Sequence, residues 1–177
     1  MEASRLTIRP LQEQDAPYLV KWLSDERVLR YYEGRDRPHD LDLVHEHFYP
    51  AVDDASRLLF LYDDHPIGYG QYYSLDEEYR QEYGYDLTTV IYGMDQFIGE
   101  PDYWDKGIGT LIVQSLLAHL SQQFRAQKIV LDPQAWNARA IRCYEKCGFH
   151  KVKWLPQHEW HEGSKRDCWL MEWSLLI

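Results

Sequence analysis

V-I-Y-G-M-D-Q-F-I-G-E-P-D-Y-W-D-K-G-I-G-T, residues 90–110, opens as an apolar run carrying one carboxylate, turns through Gly99 and Pro101, and closes on the glycine pair Gly107 and Gly109. From Thr110 onward Leu111, Ile112, Leu116, Leu117 and Leu120 recur at helical spacing, so the stretch reads as strand, glycine turn, helix. A helix N-terminus reached through glycines offers free backbone N–H groups and the positive end of the helix dipole, which suits a phosphate. The same glycines equally suit a tight turn that lets the helix pack close on its strand. Neither G-x-x-x-x-G-K-S/T nor G-x-G-x-x-G is present.

Working outward, Lys128 to Leu131 is a second apolar strand, Asp132 and Pro133 close it, and Asn137 caps a helix that ends at Gly148. His150–Leu155 and Cys168–Leu175 are expected to form a last hairpin with a long polar connection. Toward the N-terminus, Leu6 to Arg9 is a strand ended by Pro10, and Asp15 is placed to cap a helix carrying Tyr18, Leu19, Trp22 and Leu23 on one face. Glu26 to Tyr32 is a second short helix, and Leu41, Val44, His45 and Phe48 mark a third, stopped at Pro50. Leu58–Tyr62 and Ile67–Tyr73 are strands joined by D-D-H-P, and the acidic, tyrosine-rich run from Asp76 to Asp86 reads as a solvated loop or a flap beside a cationic ligand. Strands first, then two β-α crossovers, predict one α/β domain spanning 1–177 with a mixed sheet and helices on both faces.

At 177 residues, with 15% aromatic side chains, the chain supports one buried core. A net charge of −10 argues against a nucleic-acid partner, which requires a basic face, and favours a cationic ligand, though an ordinary acidic protein has the same charge. No run reaches transmembrane length and the first nine residues lack an apolar signal core, so a cytoplasmic, membrane-free protein is expected. Cys143, Cys147 and Cys168 suggest no disulfide framework; with no C-x-x-C or H-E-x-x-H, Cys143, Cys147 and the H-E-W-H run at 158–161 read as core thiols and a polar loop, not metal ligands.

The glycine turn, followed by N-A-R-A-I-R-C-Y-E-K-C-G-F at 137–149, resembles the acetyl-coenzyme A core of the GCN5-related N-acetyltransferase superfamily. W-L-S-D-E-R-V-L-R-Y-Y-E-G-R-D at 22–36, G-Y-G-Q-Y at 68–72 and Y-G-M-D-Q-F-I-G-E-P at 92–101 are similar to aminoglycoside 6'-N-acetyltransferases, above all the acetyltransferase half of the bifunctional aminoglycoside-modifying enzyme. The resemblance implies central parallel strands that splay, with acetyl-CoA in the gap and no metal. It also implies transfer of acetyl to the 6'-amine of a polycationic aminoglycoside, giving antibiotic resistance, by a monomer or homodimer. A chain ending at Ile177 is expected to lack the phosphotransferase half.

Acetyl transfer from thioester to amine needs a neutral, oriented amine, donors for the carbonyl oxygen and a proton for the departing thiolate. Asp95 sits in an apolar strand, where a carboxylate needs either a partner or a purpose. The resemblance makes it the ligand and proton acceptor of the substrate amine. A carboxylate of pKa about 4 is a weak base for an ammonium of about 9 to 10, so orientation with protons relayed through water is expected. Tyr92 is its implied neighbour, although strict alternation puts the two on opposite faces unless a bulge intervenes near Gly93. Tyr144, one helical turn from Ile141, reads as core or, by resemblance, as the acid that protonates the thiolate.

Tyr32, beside Tyr31 at a helix end, reads as packing or substrate contact, and Asp132 lies at a strand's carboxyl edge, where α/β sheets bind ligands. The resemblance makes Asp132 a second anion for the drug. It assigns Phe97, Ile98, Lys106, Gly107, Ile108, Gly109, Thr110 and Asn137 to the cofactor, with a backbone N–H near Phe97 as oxyanion donor. Trp104 departs from the superfamily's usual Gln or Arg, leaving the outer pyrophosphate to backbone or Lys106. Two alternatives stay open: an acetyltransferase for a protein N-terminus or other metabolite amine, and a non-catalytic protein that sequesters drug or coenzyme A.

Overall fold

The computed structural model describes residues 4–176, so residues 1–3 and 177 of the expected domain lie outside it. In chain order the elements are β1 (Leu6–Pro10), α1 (Ala16–Trp22), α2 (Glu26–Leu29), α3 (Leu41–Phe48), β2 (Ser56–Tyr62), β3 (His65–Ser74), α4 (Glu77–Tyr83), β4 (Ile91–Ile98), α5 (Ile108–Gln123), β5 (Lys128–Leu131), α6 (Ala138–Lys146), β6 (His150–His161) and β7 (Ser164–Ser174). The strands form one mixed α/β sheet in the order β1-β2-β3-β4-β5-β7-β6. Its parallel pair, β4 with β5, is in register from Ile91↔Lys128 to Gly93↔Val130, and Met94 to Ile98 lie beyond that paired stretch. The chain divides into two compact units, with the divisions falling inside β3, inside β4 and after the first residue of α5.

The first unit holds the chain up to Gln71 together with Asp95–Ile108. Its core joins Leu19, Trp22 and Leu23 of the first helical stretch to Leu29, Val44 and Phe48, and to Leu59 and Tyr69 of the sheet. Helix α3 starts where Asp40 accepts a hydrogen bond from the Leu43 N–H, 2.9 Å. Asp15 departs from expectation: its side chain makes no cap bond to α1. It is 2% exposed and pairs with Arg9 at 2.7 and 2.8 Å while accepting from the Gln12 N–H at 2.8 Å. A buried carboxylate takes the strongest donors within reach, and a guanidinium fork outcompetes a helix end. Helix α2 stops at Leu29, short of the expected Tyr32, and Tyr31 and Tyr32 lie in the turn before Gly34, whose φ of 111° needs glycine.

Gly68 shows how tightly this unit is built, because a Cβ there would stand 2.3 Å from the Phe97 carbonyl oxygen. Backbone cannot step aside as a side-chain tip can, so Gly68→Ala is expected to cost roughly 1–3 kcal/mol. Thermal denaturation checks this, and a Tm equal to wild type would contradict the close approach.

The second unit holds Tyr72–Met94 and the chain from Gly109 on. Helix α5 packs on β3 through His119, and Phe124 just past its end joins the contact, both rings lying 5.5 Å from that of Tyr72. The acidic run expected as loop or flap contains α4. Asp76 caps it by accepting from the Tyr79 N–H, and Gly84 ends it at φ 82°. Arg80, 8% exposed, fixes the following turn by donating to the carbonyls of Leu75, Asp86 and Thr89, each at 2.8 Å.

The polar stretch expected as a long connection is strand. β6 and β7 pair from His150↔Glu172 to His161↔Ser164, and Glu162 and Gly163, at φ 50° and 83°, make the two-residue turn. No described helix is long and apolar enough to cross a membrane.

Candidate active site

In the first unit a hydrogen-bonded chain ends on Asp95. The Tyr69 hydroxyl donates to Gln71 Oε1 at 2.8 Å, and Gln71 Nε2 donates to Asp95 Oδ2 at 2.9 Å. Tyr69 is fully buried, and burial, then the nearby Asp95 and Asp53 charges against the Arg57 guanidinium, leaves its phenol protonated well above the ordinary tyrosine pKa. A phenol that stays a donor fixes which end of the Gln71 amide faces Asp95, so the carboxylate is held in one orientation. Phe97 lies beside this chain, its ring 5.8 Å from that of Tyr69 and 4.5 Å from that of Tyr32. Gln71 and Tyr69 lie inside G-Y-G-Q-Y, but sequence reasoning gave them no role. The signal was their spacing of two, which puts both on one face of a strand.

The Tyr92 ring keeps other company, 6.3 Å from Tyr72 and 5.5 Å from Phe124. Since Gln71 and Tyr72 are successive residues of β3, partnering Asp95 and Tyr92 respectively, plain strand alternation accounts for both pairs. Trp104, standing where Gln or Arg is usual, donates its indole N–H to the Ile98 carbonyl at 2.9 Å and braces the turn. Lys106 is exposed, with Nζ 6.0 Å from the Tyr103 ring centroid.

The turn into α5 tests whether a pyrophosphate fits. Gly107 has φ 78°, so the conformation itself requires glycine. Gly109 differs: its φ is not positive, and a Cβ would meet only Cys143 Sγ, at an ordinary 3.7 Å. Neither packing nor conformation calls for glycine there, and the missing side chain leaves the backbone N–H groups at the start of α5 open to close approach. The residues fit the group.

In the second unit Thr110 Oγ1 lies 3.8 Å from Cys143 Sγ, bringing the start of α5 beside α6. Asn137 caps α6 by accepting from the Ala140 N–H at 3.3 Å, which leaves its amide N–H groups to donate elsewhere. Tyr144 is half-buried on α6 with its ring 6.0 Å from that of Phe149. Asp132 is not solitary: its Oδ2 is 2.9 Å from His158 Nε2 and 3.4 Å from the Tyr83 hydroxyl, and Glu82 Oε1 is 3.2 Å from His158 Nδ1. Sequence reading placed Glu82 and Tyr83 in a loop or flap and His158 in a polar connection, because neither α4 nor the length of β6 was foreseen. No group of three or more His, Cys, Asp or Glu among the described residues could hold a metal ion.

A short parallel pair flanked by a glycine-turn helix on one strand and an Asn-capped helix on the next is an acetyltransferase arrangement. Residues 12–156 match the Acetyltransferase (GNAT) domain family, and the chain belongs to it. Within that family it is 31% identical over 153 residues to the aminoglycoside N(6')-acetyltransferase type 1 of Klebsiella pneumoniae, covering 82% of this chain and 74% of the relative. The solved structure of AAC(6')-Ib in complex with ribostamycin and coenzyme A has 25% identity and a TM-score of 0.78, covering 97% of this chain and 94% of that one. A shorter match, 31% over 68 residues, joins 38% of this chain to 45% of the spermine/spermidine N(1)-acetyltransferase of Bacillus subtilis.

Proposed function

We propose that this chain is a single acetyltransferase domain that moves acetyl from acetyl-CoA to the 6'-amine of aminoglycoside antibiotics and so confers resistance to them. The observation that carries the reading is the 31% identity to an aminoglycoside 6'-enzyme across four-fifths of the chain. It is supported by a carboxylate held in one orientation by Gln71 in the apolar strand β4. Acetyl-CoA, when bound, supplies the acetyl group as a thioester.

The chain's own residues do the rest. N–H groups of Gly107, Ile108, Gly109 and Thr110, with Lys106, would hold the pyrophosphate, and the Asn137 amide, Phe97 and Ile98 would contact the rest of the cofactor. Asp95 accepts a hydrogen bond from the substrate amine and turns its lone pair toward the acetyl carbon, while water carries the proton away. A backbone N–H near Phe97 faces the carbonyl oxygen, and the Tyr144 phenol returns a proton to the thiolate sulfur. Tyr32 is an aromatic contact for the sugar rings, and Asp132 is an anion for the drug's other ammonium groups. The protein works in the cytoplasm without nucleic acid or membrane partners, as a monomer or homodimer.

Steady-state thiol release with acetyl-CoA, comparing kanamycin-type drugs with analogues carrying a 6'-hydroxyl, tests this directly. Turnover restricted to the amines is expected, and equal turnover of both series would overturn the assignment. Polyamine acetylation is the second reading, favoured by the 68-residue likeness to the Bacillus subtilis enzyme. Spermine in the same assay separates the two.

Capture of a polycation by Asp95, Asp132 and a chain of net charge −10 should weaken with salt. A dissociation constant for kanamycin that rises severalfold between low and high ionic strength is expected by calorimetry. A flat profile would leave the acidic surface a bystander.

A further inference from the structure

His158 lies on β6 between two carboxylates that belong to different elements. Nε2 is 2.9 Å from Asp132 Oδ2, in the connection after β5, and Nδ1 is 3.2 Å from Glu82 Oε1, on α4. A neutral imidazole donates from one ring nitrogen only, whereas the imidazolium donates from both. The geometry therefore satisfies the charged form and leaves the neutral form facing one carboxylate with a lone pair. His158 is only 13% exposed while Asp132 keeps 36% and Glu82 46% of their side-chain surface. Water and solutes reach the two carboxylates more readily than the ring. His158 and the Tyr83 hydroxyl both approach the same Asp132 oxygen, Oδ2, so Oδ1 faces away from the pair.

The groups around the ring are these two carboxylates, the Tyr83 phenol on α4, and Glu159, its neighbour on β6. Lys153 reaches α4 through the Glu82 backbone carbonyl at 2.6 Å, not through its carboxylate. Burial, then Asp132 and Glu82, keeps the Tyr83 phenol protonated far above neutrality. Hydrogen bonding to Asp132, followed by the charges of Asp132, Glu82 and Glu159, raises the His158 pKa above the ordinary histidine value despite partial burial. Histidine is the side-chain type whose ordinary pKa lies between pH 5.5 and 7.5, so His158 is the member of the group placed to change charge there.

We propose that His158 is a positioning residue that clasps Asp132 and Glu82, and that its proton and the aminoglycoside's ammonium group compete for the same pair of carboxylates. When the ring is charged, the pair's net charge falls from −2 to −1 and Asp132 is turned toward β6. When it loses its proton, a full negative charge is released to a cation. Drug binding is thereby linked to proton release, and affinity falls as pH falls through the His158 pKa. The sign for folding is opposite: a raised histidine pKa adds stability that is complete below the unfolded value of about 6.5 and is lost as pH rises through the folded value. Acid thus strengthens the clasp while weakening the site.

The inference rests on the reading of Asp132 as a drug anion, and the experiment separates the two. Kanamycin binding to the full chain is measured by calorimetry at pH 5.5, 6.5 and 7.5, at constant ionic strength, for wild type, H158Q and D132N. Wild type is expected to bind about tenfold more weakly at pH 5.5 than at 7.5, the effect of about one unit of pKa change on binding. H158Q, which can still donate a hydrogen bond to Asp132 but cannot gain charge, should lose most of that pH dependence. D132N should bind more weakly than wild type at pH 7.5. If D132N binds as wild type does, the Asp132 reading falls and the inference with it. If D132N is impaired but H158Q keeps the wild-type pH slope, the inference alone falls. A second measurement needs no variant: the NMR titration of the His158 ring should shift to lower pH when kanamycin is saturating, and an unmoved or raised midpoint overturns the proposal.

Discussion

Asp95→Asn is expected to lower kcat/KM for the aminoglycoside by roughly two orders of magnitude or more, as loss of a positioned acid–base group does. The KM for acetyl-CoA should hardly move. The substitution keeps the shape and one accepting oxygen. Gln71 Nε2 already donates to one oxygen of Asp95 at 2.9 Å, and an asparagine there would satisfy Gln71 with its carbonyl oxygen. Its NH2 would then point where the carboxylate's second oxygen had been, donor facing donor, and the substrate amine would lose both its acceptor and the attraction of a charge. A merely structural aspartate predicts another pattern, a lowered Tm with near-normal kinetics in the folded fraction. Thermal denaturation and both kinetic constants on one preparation decide it, and a destabilised but kinetically normal protein would end the catalytic assignment.

Gly109→Val should raise the KM for acetyl-CoA by about tenfold or more, about 1.4 kcal/mol or more of lost binding, with Tm close to wild type. A Cβ at Gly109 meets only Cys143 Sγ at 3.7 Å, and the position is helical, so folding tolerates a side chain. The bound pyrophosphate would not, because its oxygens must come within hydrogen-bonding distance of the backbone. Gly109→Ala is the milder probe, and Gly107→Val the contrast: at φ 78° it is strained whatever is bound and should lower Tm as well. An unchanged cofactor KM in folded Gly109→Val would refute the pyrophosphate role.

The parts of the fold legible in the sequence were those where burial writes a period. The stripe on α5, the apolar runs of β4 and β5, and the Asn137 cap each follow from local chemistry, and the resemblance of the glycine turn and the Asn137 block supplied the family. Helix α4 was not legible because its anchor is a buried cation satisfied by three backbone carbonyls, and Arg80 in an acidic run looks like any surface arginine. The continuation of β6 beyond Leu155 was not legible because it is exposed along most of its length, so no alternation marks it. Those two misreadings hid one arrangement: once α4 and the full length of β6 are in place, Glu82, Tyr83 and His158 gather at Asp132. Asp15 failed differently, since the pairing with Arg9 that displaces its capping role is a choice between partners that sequence spacing does not rank.

The hairpin of β6 and β7 bears on how the chain behaves in a crowded solution. β6 is the last strand of the order, so its outer rim is open to any extended peptide seeking a partner. Its 12 residues include apolar Val152, Trp154 and Trp160, 43%, 43% and 64% exposed, which on a flat rim would invite aggregation. The strand is not a flat rim. Its register slips between Lys151 and Lys153 and again between Leu155 and Glu159, and Pro156 removes a donor inside the second slip. Lys151 and Lys165 lie over the rings of Trp169 and Trp160 at 5.1 and 5.9 Å. An incoming strand would find no run longer than a few residues in which to zip, and would have to displace charged side chains from aromatic faces to begin.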